Sequence, residues 1–444
     1  MNSIPKDPQD CGSPQVDAEK APVSPDAVEP RSSRSIDGRR LRSLVDPALV
    51  PIAASVWLMG GLLALITSTH YQGDDLLNKD IRQVVHDAGT TLPDFTMGLV
   101  RWWMVYNGRF FPGSLSWTYV LFWFCDSRVA YKLAIGTVLL GAIVVFGLFV
   151  SRLTGRWKTG AIYISIVLGL LQIRTMHDGI ISYAGLIPLT AGLSVAAVLI
   201  VISRRGFWWA ALAALLYSFA LVTYETVLLF APVMVAIIVW KRRSWRPAAA
   251  IAIPALTQGV IVTILRLSLH TAPELAYTVN LESKTVLVTF AKQALAAFPL
   301  SQWAPGAPAM PAITKSAIAI AVLVAGLPTF LSIASLGRSR VRATRTEIIA
   351  IAIFGAWIWL SSSALVSIAV RWQLELHRGQ GYLPVVYGYF GLALCLLAVY
   401  LSVDRMMVNR SRPAIVTWRY GSALAIAVVV SLTFAGNIAV ASLT

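Results

Sequence analysis

Charge is scarce in this chain, and the scarcity excludes most soluble architectures. Of its 444 residues only 13% are Asp, Glu, Lys or Arg, while 57% are hydrophobic; a soluble domain carries about 25% charged residues. Ten-residue stretches of alternating polarity are lacking too, which argues against a membrane β-barrel. Cysteine is nearly absent. Cys11, Cys125 and Cys395 fall in a tail, a loop and an apolar run with no CxxC, so no disulfide framework or zinc site is expected. There is no P-loop, HExxH, GxSxG or helix-opening GxGxxG. ATP-driven transport, zinc proteolysis and serine hydrolysis lose support accordingly.

What is present is a series of long apolar runs, at 48–68, 130–151, 159–173, 184–203, 206–223, 226–240, 247–267, 316–336, 346–368, 384–402 and 420–441. A helix needs about 20 such residues to cross the hydrocarbon. The expected fold is therefore an all-α polytopic membrane protein with about eleven transmembrane helices. The run 111–124 is shorter and fits a re-entrant or interfacial segment. Residues 1–45 are rich in proline and mixed charge and cannot bury enough surface to fold. They read as a disordered tail preceding one membrane domain, 46–444.

The tail turns basic before the first run, with Arg31, Arg34, Arg39, Arg40 and Arg42. This predicts a cytoplasmic N-terminus and an uncleaved first span. With that orientation the inner connections are crowded with Lys and Arg, and Glu347 and Asp404 are the only acids at their edges. The net charge of +16 is thus placed at span ends, as the positive-inside rule requires, and not as a nucleic-acid surface. All five histidines (His70, His86, His177, His270, His377) and the other acids after the tail fall outside. Acidic residues contribute little to topology, so their sorting points to chemistry on the extracytoplasmic face of the plasma membrane.

Three outer connections carry the candidates. In the first, 69–129, Gly73-Asp74-Asp75 is followed by Asp80, Arg82, His86, Asp87, Asp94 and Arg101, interleaved with Trp102, Trp103 and Tyr106, and then by Asn107-Gly108-Arg109. Two amphipathic helices are expected there, one through Ile81, Val84, Val85 and Ala88 and one around 95–106, both lying at the interface. The second connection, 268–315, has an interfacial helix with a stripe of Leu287, Phe290, Ala291, Ala294, Leu295 and Phe298, and Lys284, Lys292 and Gln293 off it. That arrangement suits lipid phosphate. The third, 371–383, is dense in polar donors around Arg371, His377, Arg378 and Gln380.

Neighbouring loop side chains diverge, so one of Asp74 and Asp75 is expected to face a reaction as general base and the other a metal or a structural donor. Asp74 is the candidate ligand if a divalent cation is used. A bland alternative is that both acids cap a helix N-terminus. Arg109, Arg371, Arg378 and Lys292 are candidate phosphate ligands, since a guanidinium pairs bidentately with phosphate, although an interfacial arginine also snorkels without binding anything. Glu225 sits at a turn with almost no linker, where an ionisable group usually faces the bundle or a cavity. With Asn107, His177, Asp178 and His377 it is a candidate for orienting substrate.

In these residues the chain resembles the C-type glycosyltransferase superfamily (GT-C), multi-spanning enzymes that use polyprenyl-phosphate sugars. The layout is similar over most of 48–441, and the Asp74-Asp75 and Asn107-Gly108-Arg109-Phe110 stretches are similar to bacterial serotype-modifying glucosyltransferases. The resemblance implies transfer of a monosaccharide from polyprenyl phosphate to a glycan or lipid acceptor of the cell envelope, with inversion. Asp75 or Asp74 would be the base, and Arg109, Arg371 and Arg378 would neutralise the leaving phosphate. No large C-terminal periplasmic domain follows, which favours glycan or lipid over peptide acceptors. The rival expectation is a lipid-sugar flippase or secondary transporter, for which Pro188, Pro232 and Pro254 inside spans would supply broken helices.

Overall fold

A computed structural model of the chain describes residues 49–175, 177–269, 278–307, 310–336, 343–407 and 410–443. The tail at 1–45, His270 and Glu274 lie outside the described residues. The described chain is all-helical; its one β-feature is a single antiparallel bridge between Val279 and Ala369.

Among the described residues, eight helices are long and apolar enough to cross a membrane: Leu49–Ser68, Arg128–Thr154, Tyr183–Ser203, Arg246–Leu267, Lys315–Ser335, Arg345–Ser367, Val385–Met407 and Arg412–Ala441. Three further apolar runs form shorter helices. Trp157–Leu168 has 12 residues and Phe207–Thr223 has 17. The run 226–240 becomes a 3₁₀ segment, Glu225–Phe230, leading into Ala231–Arg242. Twelve residues rise only about 18 Å, so length and composition by themselves mark eight candidate crossings among the described residues.

The elements that position the site are numbered in chain order. They are α1 (Leu49–Ser68), α2 (Asp74–Asn78), α3 (Ile81–Asp87), α4 (Leu92–Asn107), α5 (Pro112–Phe124), α6 (Arg128–Thr154), α7 (Trp157–Leu168), α8 (Leu186–Ser203), α9 (Phe207–Thr223), α10 (Ala231–Arg242), α11 (Ala249–Leu267) and α12 (Ser283–Leu295). After the π-bulged helix that starts at Lys315 come α15 (Arg345–Ser367), α16 (Val370–Glu375), α17 (Val385–Met407) and α18 (Arg412–Ala441), with α13 (Lys315–Ala321) and α14 (Leu327–Leu336) flanking the bulge.

The long helices are apolar on every side, the signature of helices in lipid or in a core. Many present large side chains outward, such as Val56 and Trp57 on α1 and Ile253 and Leu256 on α11. On a soluble protein such patches would aggregate; here they form a lipid-facing surface. Helix α17 is the best buried and packs closely on α15. Gly355 and Gly391 make that approach: a Cβ on Gly355 would stand 2.6 Å from the Gly391 carbonyl oxygen, and one on Gly391 would stand 2.5 Å from that of Gly355. Small residues at helix crossings let backbones meet in lipid, where no hydrophobic force draws helices together.

The first long connection, 69–129, folds into four helices, α2 to α5. Several of its charges stabilise that local fold. Thr91 caps α4 by accepting from the Asp94 amide at 3.3 Å, and Arg82 pairs with Asp126 at 2.5 Å. Ile81 and Val85 face inward, as the expected amphipathic helix requires, while Val84 is exposed. In the second long connection, 268–315, α12 turns most of its apolar stripe outward, as an interfacial helix requires, while its polar face packs on protein. Leu287 and Leu295 are 67% and 60% exposed, whereas Thr289 and Gln293 are buried. The polar face packs on the 371–383 connection.

Candidate functional site

The site is built on a stretch of irregular backbone between α7 and α8. A buried loop is costly unless its backbone groups find partners, and this one finds them in distant side chains. Arg174, 2% exposed, donates from Nε to the Tyr389 hydroxyl at 2.9 Å, and from its terminal nitrogens to the carbonyls of Gly379, Gln380 and Ala296. Asp178 turns inward and accepts from the amides of Arg174, Ile180 and Ile181. Gln302 donates to the Ile173 carbonyl at 2.8 Å, and Asn437 both accepts from the Ile173 amide and donates to the Leu171 carbonyl. The loop is thereby tied to two other connections and to helices α17 and α18. It presents His177, whose backbone is left-handed with φ of 49°.

His177 is half-buried. Its Nδ1 lies 3.2 Å from the Tyr183 hydroxyl, and its ring meets the edges of Trp372 and Tyr382, with centroids at 5.3 and 5.6 Å. Trp372 and Tyr382 stack on each other at 3.7 Å. Arg371 lies 5.1 Å over Trp372 and is held by Glu375 at 2.9 Å. Asp74 approaches from α2, with His177 and Arg371 in electrostatic reach. Gly73 permits this approach: its φ is 55°, and a Cβ there would stand 3.5 Å from the Tyr183 hydroxyl oxygen. Desolvation pushes the Asp74 carboxyl pKa up against the pull of His177 and Arg371. Desolvation, then Arg371, pushes the His177 pKa down against Glu375 and Asp74, which favours the neutral imidazole. The cluster pairs a carboxylate able to accept a proton with a neutral imidazole and a guanidinium.

Asp75 points the other way and is fully buried. Burial pushes its carboxyl up from 3.8 to about 7, opposed by the Tyr131 hydroxyl, the Lys132 ammonium and the amides of Ala184 and Tyr183. Neither of its oxygens completes a hydrogen bond of good geometry among the described residues. Lys132, also fully buried, donates to the Ile181 carbonyl and so ties Asp75's surroundings to the His177 loop. An acid whose pKa rises on folding favours the folded state most below its unfolded pKa, and that contribution is lost as pH climbs to the folded value. Asp75→Asn should therefore flatten the fall in thermal stability between about pH 4 and pH 7 and raise Tm above it. A melting series across that range in detergent checks this; a wild-type profile already flat there contradicts it.

On the far side of the Trp372–Tyr382 stack lies a cleft of about 270 Å³ lined by Arg109, Glu225, Arg266, Val262, Val366 and both stacked rings, among others. Gly108, with φ of 58°, ends α4 in a left-handed cap and turns Arg109 into it. Arg109 grips Glu225 bidentately at 2.5 and 2.7 Å, and the two side chains are only 14% and 20% exposed. Burial would raise the Glu225 pKa, but Arg109 and then Arg266 outweigh it and hold the carboxyl below its ordinary value. Among the described residues, two guanidiniums, Arg109 and Arg266, and one carboxylate, Glu225, line the cleft. At Leu228 it meets a second hollow of about 520 Å³, lined almost wholly by apolar residues of α10 and α11, including Pro232, Leu256, Val260 and Ile264.

The expected residues thus fall into three places. Asp74, His177 and Arg371 come together, and His377 shares a hollow of about 270 Å³ with His177 and Glu375. Arg109 and Glu225 line the other cleft, and Asn107 is buried in the last turn of α4. Asp75 and Asp178 are interior. Lys292 donates to the Leu376 carbonyl at 2.8 Å, and Arg378 is exposed on the outer connection. Among the described residues no three His, Cys, Asp or Glu side chains group as metal ligands. A divalent cation at Asp74 would complete its shell with substrate phosphate and water, as Mg²⁺ commonly does. Reading the sequence missed Arg174, Lys132 and Arg266. Each is a lone cation in an apolar run, and that cost in lipid was the available signal.

The fold and these clefts define an all-helical, multi-pass membrane protein. Compared with known protein families, with characterised proteins and with solved structures, the chain matches none.

Proposed function

We propose that the chain is a membrane glycosyltransferase that moves a monosaccharide from a polyprenyl-phosphate donor to a glycan or lipid acceptor of the cell envelope. The observation that carries this reading is the succession of three surfaces: an apolar hollow on α10 and α11, a cleft lined by Arg109, Arg266 and Glu225, and the Asp74–His177–Arg371 cluster. An isoprenoid chain fits the first, its phosphate the second, and the sugar reaches toward the third past Trp372 and Tyr382. The resemblance in layout to GT-C enzymes supports the same reading.

In the proposed reaction Asp74 takes the proton from an acceptor hydroxyl. The oxygen attacks the anomeric carbon as the bond from that carbon to the phosphate oxygen breaks, so the product is inverted and polyprenyl phosphate departs with the bonding pair. Arg109, Arg266 and Arg371 neutralise the charge that develops on the leaving phosphate, where preorganised donors contribute most. Neutral His177 orients the acceptor or the sugar. Asp75 acts from behind, through the loop that Lys132 holds. Eleven crossings, a cytoplasmic N-terminus and a site on the outer face of the plasma membrane complete the proposed topology.

Binding of polyprenyl phosphate to purified protein tests the donor half of this account. Losing one charge-assisted contact removes about 1.5–3 kcal/mol, so Arg266→Gln and Arg109→Gln should each weaken binding by about ten- to a hundredfold. Affinity unchanged in both variants contradicts the assignment of the cleft.

A further inference from the structure

At the end of α6 remote from Lys132, about 40 Å along a 27-residue helix, three helix termini converge on one basic surface. Lys241 donates to the Leu153 carbonyl at 2.6 Å, joining the end of α10 to that of α6. Arg242 donates to the Val201 carbonyl at 2.7 Å, joining α10 to α8. Arg152 and Arg205 stand in electrostatic reach of Arg242, and Arg204 lies 5.5 Å over Trp209. Arg152, Arg204, Arg205 and Arg243 are exposed. Glu347 is the acid that meets this group, and it is already engaged, 3.9 Å from Lys241 and accepting from the Thr344 amide at 2.9 Å. Exposed Phe207, Trp208 and Trp245 border the basic residues; the two tryptophans are 80% and 72% exposed. Aromatic rings of this kind mark headgroup depth.

We propose that the converging ends of α6, α8 and α10 form a binding site for the headgroup of an anionic phospholipid. Its phosphate lies between Arg152, Arg205 and Arg242, and its glycerol region lies against Phe207 and Trp208. Helix C-termini carry partial negative charge, which Lys241 and Arg242 neutralise by bonding the last carbonyls. The exposed guanidiniums beyond them remain directed at an outside anion. Planar guanidinium forks suit phosphate oxygens. The inference stands apart from the glycosyl-transfer reading and uses none of its residues.

The test is native mass spectrometry of the full chain in detergent, titrated with phosphatidylglycerol or phosphatidylcholine. A basic side chain near an anionic headgroup strengthens binding about fivefold, so Arg152→Gln with Arg205→Gln should weaken phosphatidylglycerol retention about thirtyfold. Phosphatidylcholine should be retained poorly by every form. Arg410→Gln with Arg412→Gln removes the same charge elsewhere and should change retention less than threefold. Arg152→Lys with Arg205→Lys keeps the charge and should stay within a few-fold of wild type. Equal loss in the control pair, equal loss in the lysine pair, or no loss in the glutamine pair overturns the proposal. So does displacement of the lipid by equimolar glycerol phosphate, which would make the ligand a soluble phosphate.

Discussion

A chain carrying Asp74→Asn should reach the membrane at the wild-type level and transfer sugar about 10²–10⁴-fold more slowly, the range a positioned general base supplies. Asparagine keeps the shape of the side chain and cannot take a proton. Asp74 is the exposed acid of the Asp74-Asp75 pair, with His177 and Arg371 in electrostatic reach. Asp75→Asn should act differently: its oxygens are buried, so it should lower the rate less and alter stability more. Because desolvation raises the Asp74 pKa, the acid limb of the kcat/KM profile should lie above the ordinary carboxylate range. Transfer assays in membrane vesicles at matched expression separate the cases. Collapse in Asp75→Asn with Asp74→Asn near wild type would move the base to the buried acid. Both variants matching wild type would remove the aspartate mechanism.

The largest expected effect on stability falls on Arg174→Met. The guanidinium supplies donors to buried carbonyls of Ala296, Gly379 and Gln380 and to the Tyr389 hydroxyl. Methionine fills similar volume but takes the guanidinium from three carbonyls, of which Ala296 and Gly379 also accept from the Ser301 hydroxyl; a buried acceptor that loses its partner costs about 1–3 kcal/mol. The loss of folded protein should exceed about 3 kcal/mol, read as a fall in Tm and in the monodisperse fraction after detergent extraction. Arg174→Lys keeps the charge with a single reaching group and should fall between. A melting temperature unchanged in Arg174→Met would mean that the loop is held by Gln302, Asp178 and Asn437 without it.

The helices were legible because lipid imposes a simple demand: every apolar run near 20 residues becomes a helix that bonds its own backbone. All eleven expected runs are helical in whole or in part, and the three short ones show where hydropathy overstates length. The partner that α12 finds for its polar face was not legible. Its apolar stripe faces outward because in lipid the apolar face is the solvent-compatible one, so Gln293 turns inward to bond both the amide and the carbonyl of Tyr382. Asp74 and Asp75 were legible as a pair, but they stand in the first turn of helix α2 and not in the loop expected. Which of them stayed exposed was not legible, because that depends on Tyr131, Lys132 and Ala184, supplied from other elements. Arg109 and Glu225 were each visible as candidates, yet they sit 116 residues apart, a separation at which no local pattern announces a pair.

The central claim is tested most directly by reconstituting the purified chain in liposomes with polyprenyl-phosphate hexose or pentose, labelled in the sugar, and a mixed envelope glycan and lipid acceptor fraction. The account predicts that label moves into acceptor with inverted anomeric configuration, that polyprenyl phosphate is released in equal amount, and that Asp74→Asn abolishes both. Donor that crosses the bilayer intact, with no label in any acceptor, would contradict it and make the chain a carrier of lipid-linked sugar.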